Sequence, residues 1–205
     1  MKIIETRAAP NPRRVRMFLA EKGIEVAFEE LDLMAGDLKT EAFSRLNPWQ
    51  RVPVLVLEDG TAISESVAIC RYFEEIQPEP ALMGRTALEK AQVEMWNRRV
   101  ELGLLAAVAA VFRHLNPKMA HLEMPQVPAW GEANRAKVLE NLALLDRQLA
   151  SYPFMAGYTF SIADITAFVT LTFMKPAKLS VPDEFGHVLR WFRETGERPS
   201  AGAFR

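Results

Sequence analysis

The 205-residue sequence predicts a small α/β domain followed by a larger domain made only of helices. Up to about residue 76, strand-like and helix-like patterns alternate in the order β-α-β-α-β-β-α, which is typical of a mixed sheet with helices packed on it. Beyond this region only helical periodicity continues. A proline-rich segment without periodicity, Gln77–Gly84, is interpreted as an interdomain linker. The predicted domains span residues 1–77 and 85–205.

The first domain opens with a short strand, Lys2–Glu5, and a helix follows it. Asn11 before Pro12 predicts the start of this helix, with asparagine as the N-cap and proline at the first helical position. A second strand and a short helix come next. Apolar residues then alternate up to Asp59-Gly60, a pair typical of hairpin turns, so two further strands are expected before the last helix of the domain.

Capping boxes predict two helix starts in the second domain. Thr86-x-x-Glu89 opens a long helix that is expected to reach Leu115. Ser161-x-x-Asp164 precedes a nearly all-apolar segment, which should form a helix buried at the centre of the domain. An amphipathic helix lies between these two, and a last helix is predicted near the C-terminus. The apolar face of the amphipathic helix consists of Val138, Leu142, Leu145 and Leu149.

The composition is that of an ordinary globular protein, with 49% hydrophobic and 25% charged residues. The net charge of −1 disfavours a dedicated nucleic-acid-binding protein, which usually has a strong basic excess. Apolar runs are too short to span a membrane, and the N-terminus lacks an apolar signal core. A single cysteine, Cys70, excludes an internal disulfide and fits a reducing compartment. We therefore expect a soluble cytoplasmic protein with neither nucleic acid nor membrane as partner.

Taken in order, these motifs resemble those of a cytosolic glutathione S-transferase of bacterial type. The resemblance is carried in the first domain by LNPWQRVPVLVLEDG (Leu46–Gly60) and ISESVAICRYFEE (Ile63–Glu75), and in the second by SIADI and the closing RPSAGAF. It implies a thioredoxin-like first domain that binds glutathione, a helical domain that borders the electrophile site, and a homodimer. The implied activity is detoxifying: glutathione, as co-substrate, adds through its thiolate to a small hydrophobic electrophile, without a metal.

The resemblance assigns two glutathione contacts to the segment before the third strand. The Val52–Pro53 bond would be cis and would expose the backbone of Val52 to the cysteinyl part of glutathione. The residues alone also allow Pro53 to begin an edge strand. Arg51 matches a position whose side chain reaches the glycine carboxylate, which a guanidinium can bind bidentately; a solvated surface arginine is the alternative.

Glu65 and Ser66 match the pair that grips the γ-glutamyl end of glutathione in this family. That group has an ammonium and a carboxylate on one carbon, so an acidic side chain next to a serine at a helix start suits it. The alternative is plain helix capping, with Ser64 as the N-cap and Glu65 as an acid of the first turn.

The positions at which family members activate the glutathione thiol are occupied by other residue types in this chain. Family enzymes lower the thiol pKa with a hydrogen bond from a serine or tyrosine hydroxyl, and some bacterial members have a cysteine nearby. The serine or cysteine position falls on Ala9, which has no donor, and the tyrosine position falls on or near Glu5, which would repel a thiolate. We expect Asn11 to replace them, because its NH₂ can donate to sulfur while its oxygen caps the helix; capping alone is the other interpretation. The helix dipole would contribute, for a combined shift of roughly one to two pKa units. Positive charge would also come from three arginines, Arg13, Arg14 and Arg16.

Other residues fit structural roles better than chemical ones. Cys70 lies mid-helix without a CxxC partner and is interpreted as a buried small apolar residue. The three histidines show no metal-ligand spacing, and the basic PRRVR segment is interpreted as a solvated helix start. A hypothesis for the second-substrate pocket names four residues for which core packing is the alternative: Trp96, Phe112, Met119 and Met124.

Two further functions stay open at this stage. The chain is also compatible with a glutathione-binding or protein-interaction module without transferase activity. A glutathione-dependent peroxidase, isomerase or dehalogenase would share the glutathione site and differ in the pocket.

Overall fold

The structure is a computed structural model that describes residues 1–203. Residue contacts divide the chain into two units: Met1–Leu82 together with the segment that begins at Arg198, and Met83–Glu197. The predicted division had assigned residues 198–203 to the helical domain, whereas they pack on the first unit. Phe204, the last residue of the RPSAGAF motif, and Arg205 lie outside the described residues.

The first unit has the predicted β-α-β-α-β-β-α order. Its elements are β1 (Lys2–Glu5), α1 (Pro10–Lys22), β2 (Ala27–Glu30), α2 (Glu41–Leu46), β3 (Val54–Val56), β4 (Ala62–Ser64) and α3 (Ser66–Ile76). Two short 3₁₀ turns, Asp37–Lys39 and Pro199–Gly202, complete the unit.

The four strands form one mixed sheet in the order β2-β1-β3-β4. β1 pairs parallel with β2, while β3 pairs antiparallel with both β1 and β4. The predicted hairpin joins β3 to β4: the Leu57 N–H donates to the Thr61 carbonyl at 2.9 Å, and the Asp59 carboxylate accepts from the Thr61 N–H at 2.9 Å. Gly60 has φ 87°, a conformation that favours glycine and explains the Asp-Gly pair.

The start of α1 differs from the prediction. The helix begins at Pro10, and Ala9 occupies the N-cap with no side-chain hydrogen bond to the first turn. Asn11 is therefore the second helical residue, and its predicted role as N-cap is wrong. The physical reason is that Pro10 and Pro12 both have the fixed φ that suits a first helical turn, so the upstream proline sets the start.

The predicted linker is anchored at its beginning by Lys22, the last residue of α1. The Lys22 ammonium lies 2.7 Å from a Glu74 carboxylate oxygen and donates to the carbonyls of Gln77 and Pro80 at 2.7 and 2.8 Å. The Gln77 side chain returns a hydrogen bond to the Lys22 carbonyl at 2.6 Å. Residues 77–80 are thus held by the first unit.

The segment after Arg198 is held by the other charged residue near the end of α1. Both guanidinium contacts of Arg198 to the Glu21 carboxylate measure 2.7 Å, and the Ser200 hydroxyl also donates to it. Burial raises the pKa of Glu21, but the hydrogen bonds from Arg198 and Ser200 outweigh this effect and lower it. The carboxylate is therefore ionised when it binds the segment.

Within the described residues the second unit is built of helices, and its only β pairing is an isolated bridge between Phe154 and Gly157. Its helices are α4 (Ala87–Arg98), α5 (Ala106–Leu115), α6 (Pro128–Ser151), α7 (Ile162–Met174) and α8 (Gly186–Gly196). A π-helical segment, Arg99–Leu105, joins α4 to α5, so the predicted long helix does reach Leu115, with a wider turn in its middle. Gly103 in this segment faces α6, where a Cβ would overlap the Asn141 amide oxygen.

Both predicted capping boxes are confirmed, at Thr86–Glu89 and Ser161–Asp164. α7 is buried along nearly its whole length, as its apolar sequence predicts. The four predicted apolar-face residues of α6 are buried as well: Val138, Leu142, Leu145 and Leu149. None of the helices in residues 1–203 is long and apolar enough to cross a membrane.

Candidate functional site

The loop between α2 and β3 presents Arg51 and Val52, and the buried side chain of Asn47 shapes it. The Asn47 NH₂ donates to the Arg51 carbonyl at 2.8 Å, and its oxygen accepts from the Trp49 N–H at 3.1 Å. The Val52–Pro53 bond is cis, as predicted. Within residues 1–203 the N–H and C=O of Val52 take part in no loop hydrogen bond, so both can pair with a peptide group of a ligand.

Arg51 lies on the surface of the first unit. Its side chain is exposed and makes one long contact, 3.4 Å from Nη1 to the Gln50 carbonyl. A guanidinium placed in this way can meet a carboxylate that arrives from solvent. The position is equally that of a solvated arginine, so both interpretations from the sequence stand.

Glu65 occupies the N-cap of α3 in an unusual backbone conformation. Its φ is 67° and its ψ 113°, and its side chain makes no capping hydrogen bond. The alternative interpretation, with Ser64 as N-cap and Glu65 inside the first turn, is therefore wrong. A non-glycine residue at positive φ costs on the order of 1–3 kcal/mol and is concentrated at functional sites. The Glu65 side chain is exposed next to the helix start.

Ser66 is the first residue of α3 and is buried. The first main-chain bond of the helix runs from the Ile69 N–H to the Glu65 carbonyl at 2.9 Å. The N–H groups of Ser66, Val67 and Ala68 therefore have no carbonyl partner within the helix, and no side chain in the described chain caps them. Together with the positive end of the helix dipole, they form a set of donors suited to an anion.

Arg14 and Arg16, two arginines near Ala9, have side-chain partners that the sequence did not reveal. Arg14 is buried, and its Nη1 donates to the Ser66 hydroxyl oxygen at 2.7 Å. Arg16 binds the Glu5 carboxylate, with Nε 2.8 and 2.9 Å from its two oxygens, and its guanidinium lies 3.7 Å from the centre of the Phe28 ring. The Glu5 carboxylate compensates the charge of Arg16, so this arginine does not add to the positive potential near Ala9 as expected.

Glu5 also needs a correction. It is fully buried and its charge is compensated by Arg16, so the pair is neutral as a whole. The predicted repulsion of a thiolate by Glu5 does not fit this arrangement.

The loop at the start of α1 contains few hydrogen-bond donors. The Ala9 N–H donates to the Thr6 carbonyl at 2.9 Å, and Pro10 and Pro12 have no N–H. Asn11 thus supplies the first backbone N–H of the helix. Its side chain is exposed and makes no hydrogen bond within the part of the chain that the structure describes. Because Asn11 does not cap the helix, its side-chain NH₂ can donate a hydrogen bond to a ligand.

The other residues considered from the sequence are Cys70 and those suggested for the second-substrate pocket. Cys70 is fully buried, as predicted, and burial raises the pKa of its thiol to about 12, so it is not a nucleophile at neutral pH. Of the four residues suggested for the second-substrate pocket, Trp96 lines a cleft within the helical unit, while Phe112 packs against Phe173 at 5.0 Å between ring centres. Met124 is exposed.

Comparison with known proteins decides the family. Residues 8–76 match the family model of the glutathione S-transferase N-terminal domain, and residues 128–194 match that of the C-terminal domain. The chain belongs to the glutathione S-transferase family. Its first unit is therefore a thioredoxin-like domain and its second the helical domain of that family, as the sequence predicted.

Members of the glutathione S-transferase family resemble the chain over nearly its whole length. It is 39% identical over 203 residues to Glutathione S-transferase 2 of Saccharomyces cerevisiae, which covers 98% of this chain and 87% of that protein. A crystal structure of a glutathione S-transferase domain-containing protein from Marinobacter aquaeolei has a TM-score of 0.94 at 40% identity, covering 98% of this chain and 99% of that one.

Relatives outside the transferases are similar over part of their length. The chain is 30% identical over 164 residues to Probable elongation factor 1-gamma 1 of Arabidopsis thaliana. The match covers 79% of this transferase-family chain but 38% of the elongation factor. The same kind of domain therefore also occurs inside a longer protein.

Proposed function

We propose that this chain is a cytoplasmic glutathione transferase that binds glutathione, stabilises its thiolate and adds it to a small hydrophobic electrophile. The observation that carries the proposal is the start of α3, where Glu65 at positive φ precedes a buried Ser66 and a first turn that no side chain of residues 1–203 caps. This arrangement offers an acid for an ammonium and N–H donors for a carboxylate, which are the two charges of a γ-glutamyl group.

Four residues would each bind a different part of glutathione. Ser66 and the first turn of α3 would bind the γ-glutamyl carboxylate, and the Glu65 carboxylate its ammonium. The N–H and C=O of Val52 would pair with the cysteinyl residue as one more strand residue does in a sheet. Arg51 would bind the glycine carboxylate at the surface, where charge-assisted hydrogen bonds are worth more than neutral ones.

The chemistry requires the thiol to lose its proton before sulfur attacks. Asn11 can donate to the sulfur through its backbone N–H and its side-chain NH₂, and the start of α1 adds positive potential. The thiolate then forms a carbon–sulfur bond with the electrophile, which takes up the electron pair or releases a leaving group. Holding both substrates together contributes to the rate by proximity.

Binding and turnover of glutathione test the proposal directly. Calorimetry with purified protein is expected to detect binding of glutathione below millimolar concentration, and 1-chloro-2,4-dinitrobenzene is expected to be converted to its thioether in a glutathione-dependent reaction. The Ser66→Ala variant should bind glutathione about ten-fold more weakly, because it loses a hydrogen bond to a charged group. Absence of heat from glutathione at millimolar concentration would contradict the proposal.

Asn11 is expected to lower the pKa of the bound thiol. In Asn11→Ala this pKa should rise by about one unit, since one amide donor to sulfur is worth roughly 1–1.5 kcal/mol. The measurement is a titration of ultraviolet thiolate absorbance at saturating glutathione. Asn11→Asp is the matched variant: it keeps the shape, loses the NH₂ and adds a negative charge, so its thiol pKa should be higher still. An unchanged pKa in both variants would remove the Asn11 side chain from the mechanism.

A second candidate is a glutathione-binding or interaction module without transferase activity. It is favoured by Ala9, which has no group to donate to sulfur, and by the similarity to elongation factor 1-gamma. Heat from glutathione without conversion of any electrophile would support it. Peroxidase, isomerase and dehalogenase activities share the same glutathione site; a hydroperoxide assay separates the first of these from transfer.

We also propose that the protein forms a homodimer through the long helix of the second unit. Leu88, Met95 and Leu102 recur every seven residues along α4 and the π-helical segment and are 68, 39 and 66% exposed. Leu144 on α6 is 52% exposed and lines the same cleft as Leu102. A second copy would bury this apolar surface.

A further inference from the structure

Arg14 is a charged side chain that the fold places inside the first unit. It is 1% exposed, and its Nη1 lies 2.7 Å from the hydroxyl oxygen of Ser66, a residue 52 positions later in the chain. Its neighbour on the same helix, Arg16, is turned to Glu5 instead. The contact therefore links α1 to the first residue of α3, at the point where the γ-glutamyl group is proposed to bind.

The chemistry of the two groups fixes the direction of this hydrogen bond. A guanidinium has donors only, so the Ser66 oxygen must accept from Arg14. The single hydroxyl proton of Ser66 is thereby directed to another acceptor. Within residues 1–203 Ser66 Oγ acts only as an acceptor, and the residue is 5% exposed. A buried hydroxyl donor without an acceptor is costly, so a ligand oxygen next to α3 would satisfy it.

We propose that Arg14 is a positioning residue for the γ-glutamyl carboxylate of glutathione, acting through the Ser66 hydroxyl. It holds the oxygen as an acceptor, leaves the proton for the carboxylate and polarises the O–H bond. The hydroxyl then binds the anion together with the free N–H groups of the first turn of α3. This inference rests on the proposed function, and it adds a residue that makes no contact with the ligand itself.

A purely structural role is the competing explanation, since the same contact also joins α1 to α3. The two explanations differ in what they predict for ligands. A structural contact supports the binding of every part of glutathione alike. A positioning residue matters only when the ligand has the carboxylate that the Ser66 proton meets.

The experiment compares glutathione with 4-aminobutyryl-cysteinyl-glycine, which lacks only that carboxylate. Dissociation constants are measured by calorimetry for the unmodified protein and for Arg14→Met, Arg14→Lys, Ser66→Ala and Arg14→Met/Ser66→Ala. Arg14→Met should weaken glutathione binding by about ten-fold, the usual effect of a hydrogen bond to a charged group, and leave binding of the analogue within about two-fold. The double variant should bind glutathione no more weakly than Ser66→Ala. Urea unfolding of each variant reports stability separately.

Arg14→Lys covers the case in which Arg14→Met does not fold. Lysine keeps the charge but has a shorter, single-pronged donor, so it should weaken glutathione binding by roughly three- to ten-fold and spare the analogue. Equal losses for both ligands, or independent, multiplying losses in the double variant, would overturn the role of Arg14. If Arg14→Lys is indistinguishable from the unmodified protein while the latter binds glutathione, this inference alone fails. If the unmodified protein does not bind glutathione, the proposed function fails and the role of Arg14 with it.

Discussion

Replacing Asp164 with alanine is expected to lower the free energy of unfolding of the helical unit by about 4 kcal/mol. The Asp164 carboxylate is fully buried and accepts four hydrogen bonds: from the N–H of Met155 at 2.9 Å, the N–H and hydroxyl of Ser161 at 3.0 and 3.1 Å, and the indole N–H of Trp191 at 3.1 Å. Alanine would leave three buried N–H donors without their acceptor. Each such donor costs about 1–3 kcal/mol.

Burial raises the pKa of Asp164 to about 6, against the opposing effect of these hydrogen bonds. The carboxylate is therefore mostly ionised at neutral pH, where the four donors can all be satisfied. Urea unfolding at pH 7.5, followed by circular dichroism, gives the free energy of unfolding.

Asp146→Ala is the matched control for this prediction. Asp146 on α6 accepts from the N–H groups of His187 and Val188 at 2.9 Å each, so it also caps a helix, but it is only half-buried. Water can replace it there, and a loss of about 1 kcal/mol is expected, as for other caps. Equal losses in the two variants would show that burial of the Asp164 donors is not what makes that residue important.

Replacing Lys22 with methionine is expected to lower the free energy of unfolding of the first unit by about 3–5 kcal/mol, the usual effect of removing one partner from a buried ion pair. Methionine keeps the length of the aliphatic part but removes the ammonium that binds Glu74 and the carbonyls of Gln77 and Pro80. The lysine side chain is fully buried, so water cannot take over these contacts.

The measurement for Lys22→Met is urea unfolding by circular dichroism together with hydrogen exchange of the α1 and α3 amides. Lys2→Met is the control, because the Lys2–Glu29 pair at 2.5 Å is about half-exposed on both sides. A pair of this kind contributes less than about 1 kcal/mol. If both variants unfold at the same urea concentration, the buried pair does not stabilise the unit as proposed.

Features fixed by neighbouring residues could be predicted from the sequence. The capping boxes at Thr86 and Ser161 and the Asp59-Gly60 turn depend on groups three or fewer positions apart, so local preference is enough. The prediction of where α1 begins was wrong, also for a local reason. The segment Pro-Asn-Pro contains two prolines that suit a first helical turn, and the pattern does not say which one begins the helix.

The interior of the candidate site was less predictable. Arg14 meets Ser66 across 52 positions, and Lys22 meets Gln77 across 55, so no local pattern indicates either contact. The arginines of the first helix were interpreted by their charge alone, whereas packing of α1 on the sheet and α3 decides where each one points. Glu65 shows the opposite case, in which tertiary structure imposes a backbone conformation that its residue type disfavours.

The attachment of residues 198–203 to Glu21 has a consequence for biosynthesis. A ribosome makes residues 1–82 before it makes the segment that binds the end of α1, because the whole second unit, Met83–Glu197, is translated between them. The nascent first unit must therefore keep one surface uncovered until the second unit has been translated.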